Sequence, residues 1–181
     1  ACFMLKQYEK GVEFLQKAIQ INPEDAVNHY ILGVGLESMK DYEKATEAYG
    51  RAIQFKPDYT AAYFMLGNCY YRLKRYPEAD AMYLKAAKLD PGYDYVYLNR
   101  SSALHSQGKL DEAIAETEKE IQHNPQIKES YERMVEFCCE KGDYQRARKA
   151  VQQAEEHGCE ISAKVLAKLE EGESEAESKG E

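Results

Sequence analysis

The side chains able to do chemistry are few and scattered. His29, His105, His123 and His157 stand far apart along the chain. Catalysis needs a nucleophile with its base, a carboxylate pair in a pocket or a Gly-rich phosphate loop, and no G-x-G-x-x-G, G-x-x-x-x-G-K-[ST] or G-x-S-x-G pattern occurs. Cys138 and Cys139 are adjacent and therefore point to different faces of a helix, while His157-Gly158-Cys159 supplies two nearby ligands where a structural zinc takes four. No metal or cofactor is expected. Asn99-Arg100-Ser101 matches a glycosylation sequon but falls inside a predicted helix, and Ser174 and Ser178 sit among Glu residues, as acidophilic phosphorylation sites do. The expectation is a protein that is not an enzyme.

Charge narrows the partners. Twenty-four basic against 32 acidic side chains leave a net charge of −8 over 181 residues, the wrong sign for a generic phosphate-backbone binder, so no nucleic acid is expected. The longest stretch without a formal charge, Tyr59 to Tyr71, contains Asn68 and is too short for membrane insertion. Ala1 to Lys10 includes Lys6, Gln7 and Glu9 and does not read as a signal peptide. Five Cys without a Cys-x-x-Cys pair read as reduced thiols, which suggests a cytoplasmic location.

The elements that must position these residues recur with a fixed period. Pro23, Pro57, Pro91 and Pro125 are evenly spaced, and the same grid carries Ala45, Ala79, Ala113 and Ala147, then Tyr8, Tyr42, Tyr76, Leu110 and Tyr144, then Ala18, Ala52, Ala86, Glu120 and Ala154. A period of this size marks an array whose units bury their apolar faces only by stacking on neighbours. Inside one period, Ala26, Tyr30, Leu32, Gly33 and Leu36 recur at helical steps, as do Ala45, Ala48, Tyr49, Ala52 and Ile53. That predicts two helices per repeat and no strand. Asp25 suits an N-cap, Pro77 a first helical turn, and Gly108 and Gly142 a left-handed helix end.

On these residues the chain resembles the tetratricopeptide repeat family, whose 34-residue helix-turn-helix unit follows the pattern aromatic, Leu-Gly, Tyr, Ala, aromatic, Ala and Pro. One repeat carries it as Leu32, Gly33, Tyr42, Ala45, Tyr49, Ala52 and Pro57, and the next as Tyr63, Leu66, Gly67, Tyr70, Tyr76, Ala79, Tyr83, Ala86 and Pro91. The implied fold is all-α, a right-handed α-solenoid with a C-terminal capping helix. Residues 1–25 are expected to form an incomplete first repeat. Residues 26–59, 60–93, 94–127 and 128–161 follow as repeats, with 162–171 as the cap and 172–181 as a disordered acidic tail. The repeat 94–127 diverges, with Arg100-Ser101 replacing Leu-Gly and with Thr117 and Glu120 at the aromatic and Ala places, and looser packing is expected there.

The resemblance also implies a function: non-enzymatic protein binding by an adaptor or scaffold that holds a peptide or helix in a concave groove lined by the first helix of each repeat. Carried over residue by residue, that groove takes Val27, Tyr30, Ile31 and Val34, then Ala61, Phe64, Met65, Asn68, Tyr71 and Arg72, then Tyr95, Leu98, Asn99, Ser102 and His105, then Glu129, Glu132, Arg133, Glu136 and Glu140. Asn68 and Asn99 would hydrogen-bond a peptide unit. The apolar and acidic ends together suggest a ligand with apolar and basic residues. A co-chaperone gripping heat-shock chaperone tails is disfavoured, because Phe64 and Glu129 stand where that clamp uses Lys. The alternative is a structural segment of a larger assembly that self-associates, through a truncated N-terminal edge at Phe3, Val12, Leu15 or Ile19.

Overall fold

The computed structural model describes the backbone of residues 2–180 and the side chains of residues 9–178. Among the described residues every regular element is helical: α1 Cys2–Ile21, α2 Ala26–Ser38, α3 Tyr42–Phe55, α4 Thr60–Arg72, α5 Tyr76–Leu89, α6 Val96–Ser106, α7 Leu110–His123, α8 Lys128–Lys141, α9 Tyr144–Glu156 and α10 Ala163–Gly180. Consecutive helices pair as hairpins, and the fold class is an α-solenoid of helical repeats. The chain divides into two compact halves, Ala1–Pro91 and Gly92–Glu181.

Local sequence sets where each helix starts and stops. Asp25 Oδ1 accepts the backbone N–H groups of Val27 and Asn28 at 2.9 and 3.2 Å, and Asp41 and Asp143 cap α3 and α9 in the same way through Lys44 and Arg146. Each hairpin then turns through one left-handed residue at the same place of the repeat, at Lys40, Lys74, Gly108 and Gly142, with φ of 63, 59, 77 and 76°. Two of those four places carry a Cβ that this conformation disfavours.

In the N-terminal half, the two helices of a hairpin approach closely at a glycine. A Cβ on Gly33 would lie 2.6 Å from the Tyr49 ring, and one on Gly67 would lie 2.7 Å from the Tyr83 ring. Both rings are fully buried. The same pair of places in the C-terminal half holds Ser101 with Thr117 and then Val135 with Val151: as the ring shrinks, the facing residue grows. The two changes compensate in direction while identity is not kept.

A second periodic contact closes three of the four hairpins at the far end. His29 stacks on Phe55, Tyr97 on His123 and Tyr131 on His157, with centroids 5.4, 5.3 and 6.1 Å apart. His29 Nε2 donates to the Pro23 carbonyl at 2.8 Å, and the Tyr131 hydroxyl donates to the Pro125 carbonyl at 3.1 Å. Pro23 and Pro125 thus present carbonyls to the ring that follows them, and His29, His123 and His157 serve in ring stacking.

The divergent repeat is not loosely packed. Ser101, Thr117 and Glu120 are fully buried, and the two hydroxyls donate to their own helices at Leu98 and Ala113. Glu120 accepts the N–H groups of Tyr95, Tyr97 and Leu98 at 3.1, 2.8 and 3.0 Å, and the Asn124 amide at 2.7 Å. A carboxylate at the Ala place of the other repeats has become the cap of α6, where the helix dipole favours an anion. Arg100 pairs with the buried Glu116 at 2.9 Å.

Beyond the last hairpin, Val165 and Leu169 of α10 turn inward onto α8 and α9. The helix does not stop at Gly172, where the sequence suggested a disordered tail. It continues to Gly180, because Gly172 lets α10 lie against Tyr144 and Glu173 pairs with Arg148.

Candidate interaction surfaces

In the N-terminal half, the outward stripe of α2 is apolar. Val27 and Ile31 are 50% and 45% exposed, and beside them Tyr30 and Val34 are half-buried. The Tyr30 ring is held by Tyr49 and Tyr59, at centroid distances of 5.7 and 4.9 Å. One repeat on, α4 presents Phe64, Met65 and Asn68, all half-buried, with the Phe64 ring 5.8 Å from Tyr83. Tyr71 packs on Tyr76 at 5.4 Å, and Arg72 is exposed.

Asn68 differs from its expected role. Its Oδ1 accepts the Tyr83 hydroxyl at 2.8 Å, and its Nδ2 faces the Met65 sulfur at 3.7 Å. The carboxamide oxygen therefore belongs to the core. Glu37, which sequence reasoning missed, accepts the Tyr49 hydroxyl at 3.0 Å; burial raises its carboxyl above the usual range against the lowering effects of that bond and of Arg72. It stands one repeat before Tyr71, so the same register could have found it. Burial also pushes the Cys69 thiol up to about 12, which leaves it protonated and unreactive.

In the C-terminal half, the expected acidic face of α8 is broken up by pairing. Glu132 accepts the Ser162 N–H at 2.9 Å, at the start of α10, and lies 3.5 Å from Lys128. Burial raises its carboxyl, but that N–H and Lys128 outweigh burial and hold it below the usual range. Glu136 lies 3.9 Å from Arg133, and Glu140 takes a 2.8 Å bond from His105, which stacks on Phe137. Arg133 also donates to the Ser102 hydroxyl at 3.2 Å. Glu129 is exposed, Asn99 is half-buried on α6, and Tyr95 precedes that helix in a left-handed conformation, 42% exposed. Of the four Glu expected to form one face, three are tied to groups of their own half.

Three family models match the chain, each described as a tetratricopeptide repeat, at residues 36–98, 82–115 and 2–25. The chain belongs to the tetratricopeptide repeat family. Its repeats make it a protein-interaction module.

Solved structures with the same fold include a crystal structure of MamA, with a TM-score of 0.79 at 20% identity over 83% of this chain and 88% of that one. MamA 41-end from Desulfovibrio magneticus RS-1 gives 0.76 at 17% identity over 87% and 89%. At these identities the likeness is one of fold. The comparison with curated proteins finds no match. Among the described residues of this tetratricopeptide repeat protein, no group of three metal-ligating side chains gathers, and no helix is long and apolar enough to cross a membrane.

Proposed function

We propose that this tetratricopeptide repeat protein is a non-enzymatic adaptor whose α2 and α4 face holds an apolar segment of a partner protein, as a peptide or a helix. The observation that supports this is the strip formed by Val27, Ile31, Tyr30, Val34, Phe64 and Met65, in which two large aliphatic side chains are about half exposed beside held aromatic rings. Contiguous exposed apolar residues of this kind mark binding surfaces, whereas isolated ones do not. Taken by itself, the C-terminal half has carboxylates on α8 that outnumber its cations even after pairing, so a segment bound there would favour basic residues. Exposed charge pairs contribute only ~0 to 1 kcal/mol each, so the apolar anchors supply affinity and the charges act on selectivity and association rate.

Peptide-array binding at low and high salt tests this reading. Phe64→Ala and Ile31→Glu should each weaken capture more than Glu136→Gln does, and the order should persist at high salt. Capture won by acidic C-terminal peptides, or capture indifferent to Ile31→Glu, would overturn it.

A further inference from the structure

Val12, expected at an open apolar edge, is buried against Gly35 of α2, and the Phe3 side chain lies outside the described residues. Open space lies instead within the C-terminal half, on the side made by the second helices of its hairpins. A cavity of about 630 Å³ runs between α7 and α9, with Met134 of α8 at its floor and Ile121 and Ala150 beside it. Pockets that hold ligands occupy ~300 to 1,000 Å³.

The repeat register shows why this space is open. Two repeats earlier, the places of Ile121, Met134 and Ala150 hold Ile53, Leu66 and Met82, and Ile53 and Met82 pack on the core of the N-terminal half. Ala150 omits the long side chain that fills the earlier place. The rim changes as well, since Gln145 and Lys149 stand where the earlier repeat has Pro77 and Ala81.

Some polar groups of the lining are already engaged and others are not. Glu118 of α7 pairs with Arg146 of α9, and Asp143 accepts the Arg146 backbone N–H at 3.1 Å as the N-cap of α9. Both carboxylates of the lining are thus committed. Among the described residues Lys149 makes no ion pair, and the side chains of Gln122, Gln145 and Gln153 make no hydrogen bond. A carboxamide donates and accepts at once, as a peptide unit does, whereas a helix has already satisfied its own backbone groups. Three uncommitted carboxamides around an apolar floor therefore suit an extended segment. Lys149 suits a carboxylate on that segment, and the thioether of Met134 suits an aromatic ring.

We propose that the groove between α7 and α9 is a second binding site, which takes an extended acidic segment of a partner protein, with one aromatic side chain over Met134 and a neighbouring carboxylate on Lys149. The site stands apart from the reading of the α2 and α4 strip, and its test separates the two.

Nuclear magnetic resonance of the full chain, isotope-labelled and titrated with the capped peptide Gly-Asp-Phe-Asp-Gly, tests the proposal. Amide shifts should concentrate on α7 and α9. Replacing Phe by Ala in the peptide should weaken binding about tenfold, and so should Ala150→Met, which returns the side chain of the earlier repeat, with helical content retained by circular dichroism. Should Ala150→Met lose its fold, Gln145→Glu at the exposed rim serves in its place, by repelling the peptide's carboxylates. Lys149→Glu should weaken binding about threefold at low salt, and the variant should prefer Gly-Lys-Phe-Lys-Gly. Methylating the backbone nitrogens of Phe and of the residue after it should weaken binding, because the glutamines lose their donors. Ile31→Glu should leave all of this unchanged. The proposal fails if millimolar peptide shifts no amide of α7 or α9, if the shifts fall on α2 and α4, or if the lysine peptide binds the unaltered chain as well as the acidic one. It fails equally if the methylated peptide binds as before, or if a helix-locked peptide with the same side chains binds more tightly.

Discussion

Placing the same methyl group at two helical glycines of the N-terminal half should change stability in opposite directions. Ala is favoured over Gly inside a helix by about 0.5 to 1 kcal/mol. At Gly50 in α3 the new Cβ would meet nothing within 4 Å, so Gly50→Ala should realise that gain. At Gly67 in α4 the new Cβ would lie 2.7, 2.8 and 3.1 Å from three carbons of the Tyr83 ring. That ring cannot swing away easily, because it is 1% exposed and its hydroxyl is held by Asn68 at 2.8 Å. Overpacking of this kind costs ~1 to 3 kcal/mol, and three simultaneous contacts with a fixed ring put Gly67→Ala in the upper part of that range. After the helix-propensity gain, a net loss of about 1 to 2 kcal/mol is expected. Urea unfolding followed by circular dichroism measures both variants, and amide exchange should show the loss concentrated in α4 and α5. If Gly67→Ala is neutral or stabilising, close approach at glycine is not what fixes the spacing of these hairpins.

Three further outcomes follow from the packing. Replacing Lys40 or Lys74 by Gly should stabilise the chain by about 1 kcal/mol, since each holds a left-handed turn that its counterparts Gly108 and Gly142 adopt freely; thermal unfolding of either variant checks this. Glu120→Ala should cost about 3 kcal/mol although Ala fits at that place in the other repeats, because the buried N–H groups of Tyr97 and Leu98 lose their acceptor; those two amides should lead the rise in hydrogen exchange. Glu37 is held above its ordinary pKa by burial, so its protonated form favours the fold, and that contribution is complete below the unfolded value and lost as pH rises through the folded one. Relative to Glu37→Gln, the parent should therefore lose stability as pH rises above the usual carboxylate range, as measured by urea midpoints across pH.

The repeat grid made the hairpins legible, because Gly33, Tyr49, Ala45 and Pro23 each do a job that recurs from one repeat to the next. Where the grid was broken, the sequence alone misled. Glu120 reads as a polar intrusion until its three backbone donors are seen, and those belong to residues more than twenty positions upstream. The acidic stripe of α8 was legible as a stripe, but not the fact that Glu132 turns to Ser162 and Glu140 to His105, since neither partner lies on the same helix. The composition of residues 172–181 argued for disorder, yet Gly172 permits a close approach to Tyr144 that composition cannot show.

The core and the proposed partner surface share side chains in the N-terminal half, and this constrains what either can become. Tyr83 fills the space opposite Gly67 and, through the same ring, orients Asn68 on the outward side of α4. Tyr49 does likewise opposite Gly33, with its hydroxyl fixing Glu37 and its ring steadying Tyr30. In the C-terminal half the matching pairs, Ser101 with Thr117 and Val135 with Val151, carry no phenol, and the outward polar groups there are positioned by contacts between helices instead, such as Arg133 to Ser102 and His105 to Glu140. Exchanging Tyr83 for Phe would keep a ring opposite Gly67, and so keep the hairpin filled, and yet release Asn68. Binding through Asn68 should then fall while stability drops by only about 1 kcal/mol, the worth of one hydrogen bond, because packing depends on the ring and the orientation of the amide depends on its hydroxyl.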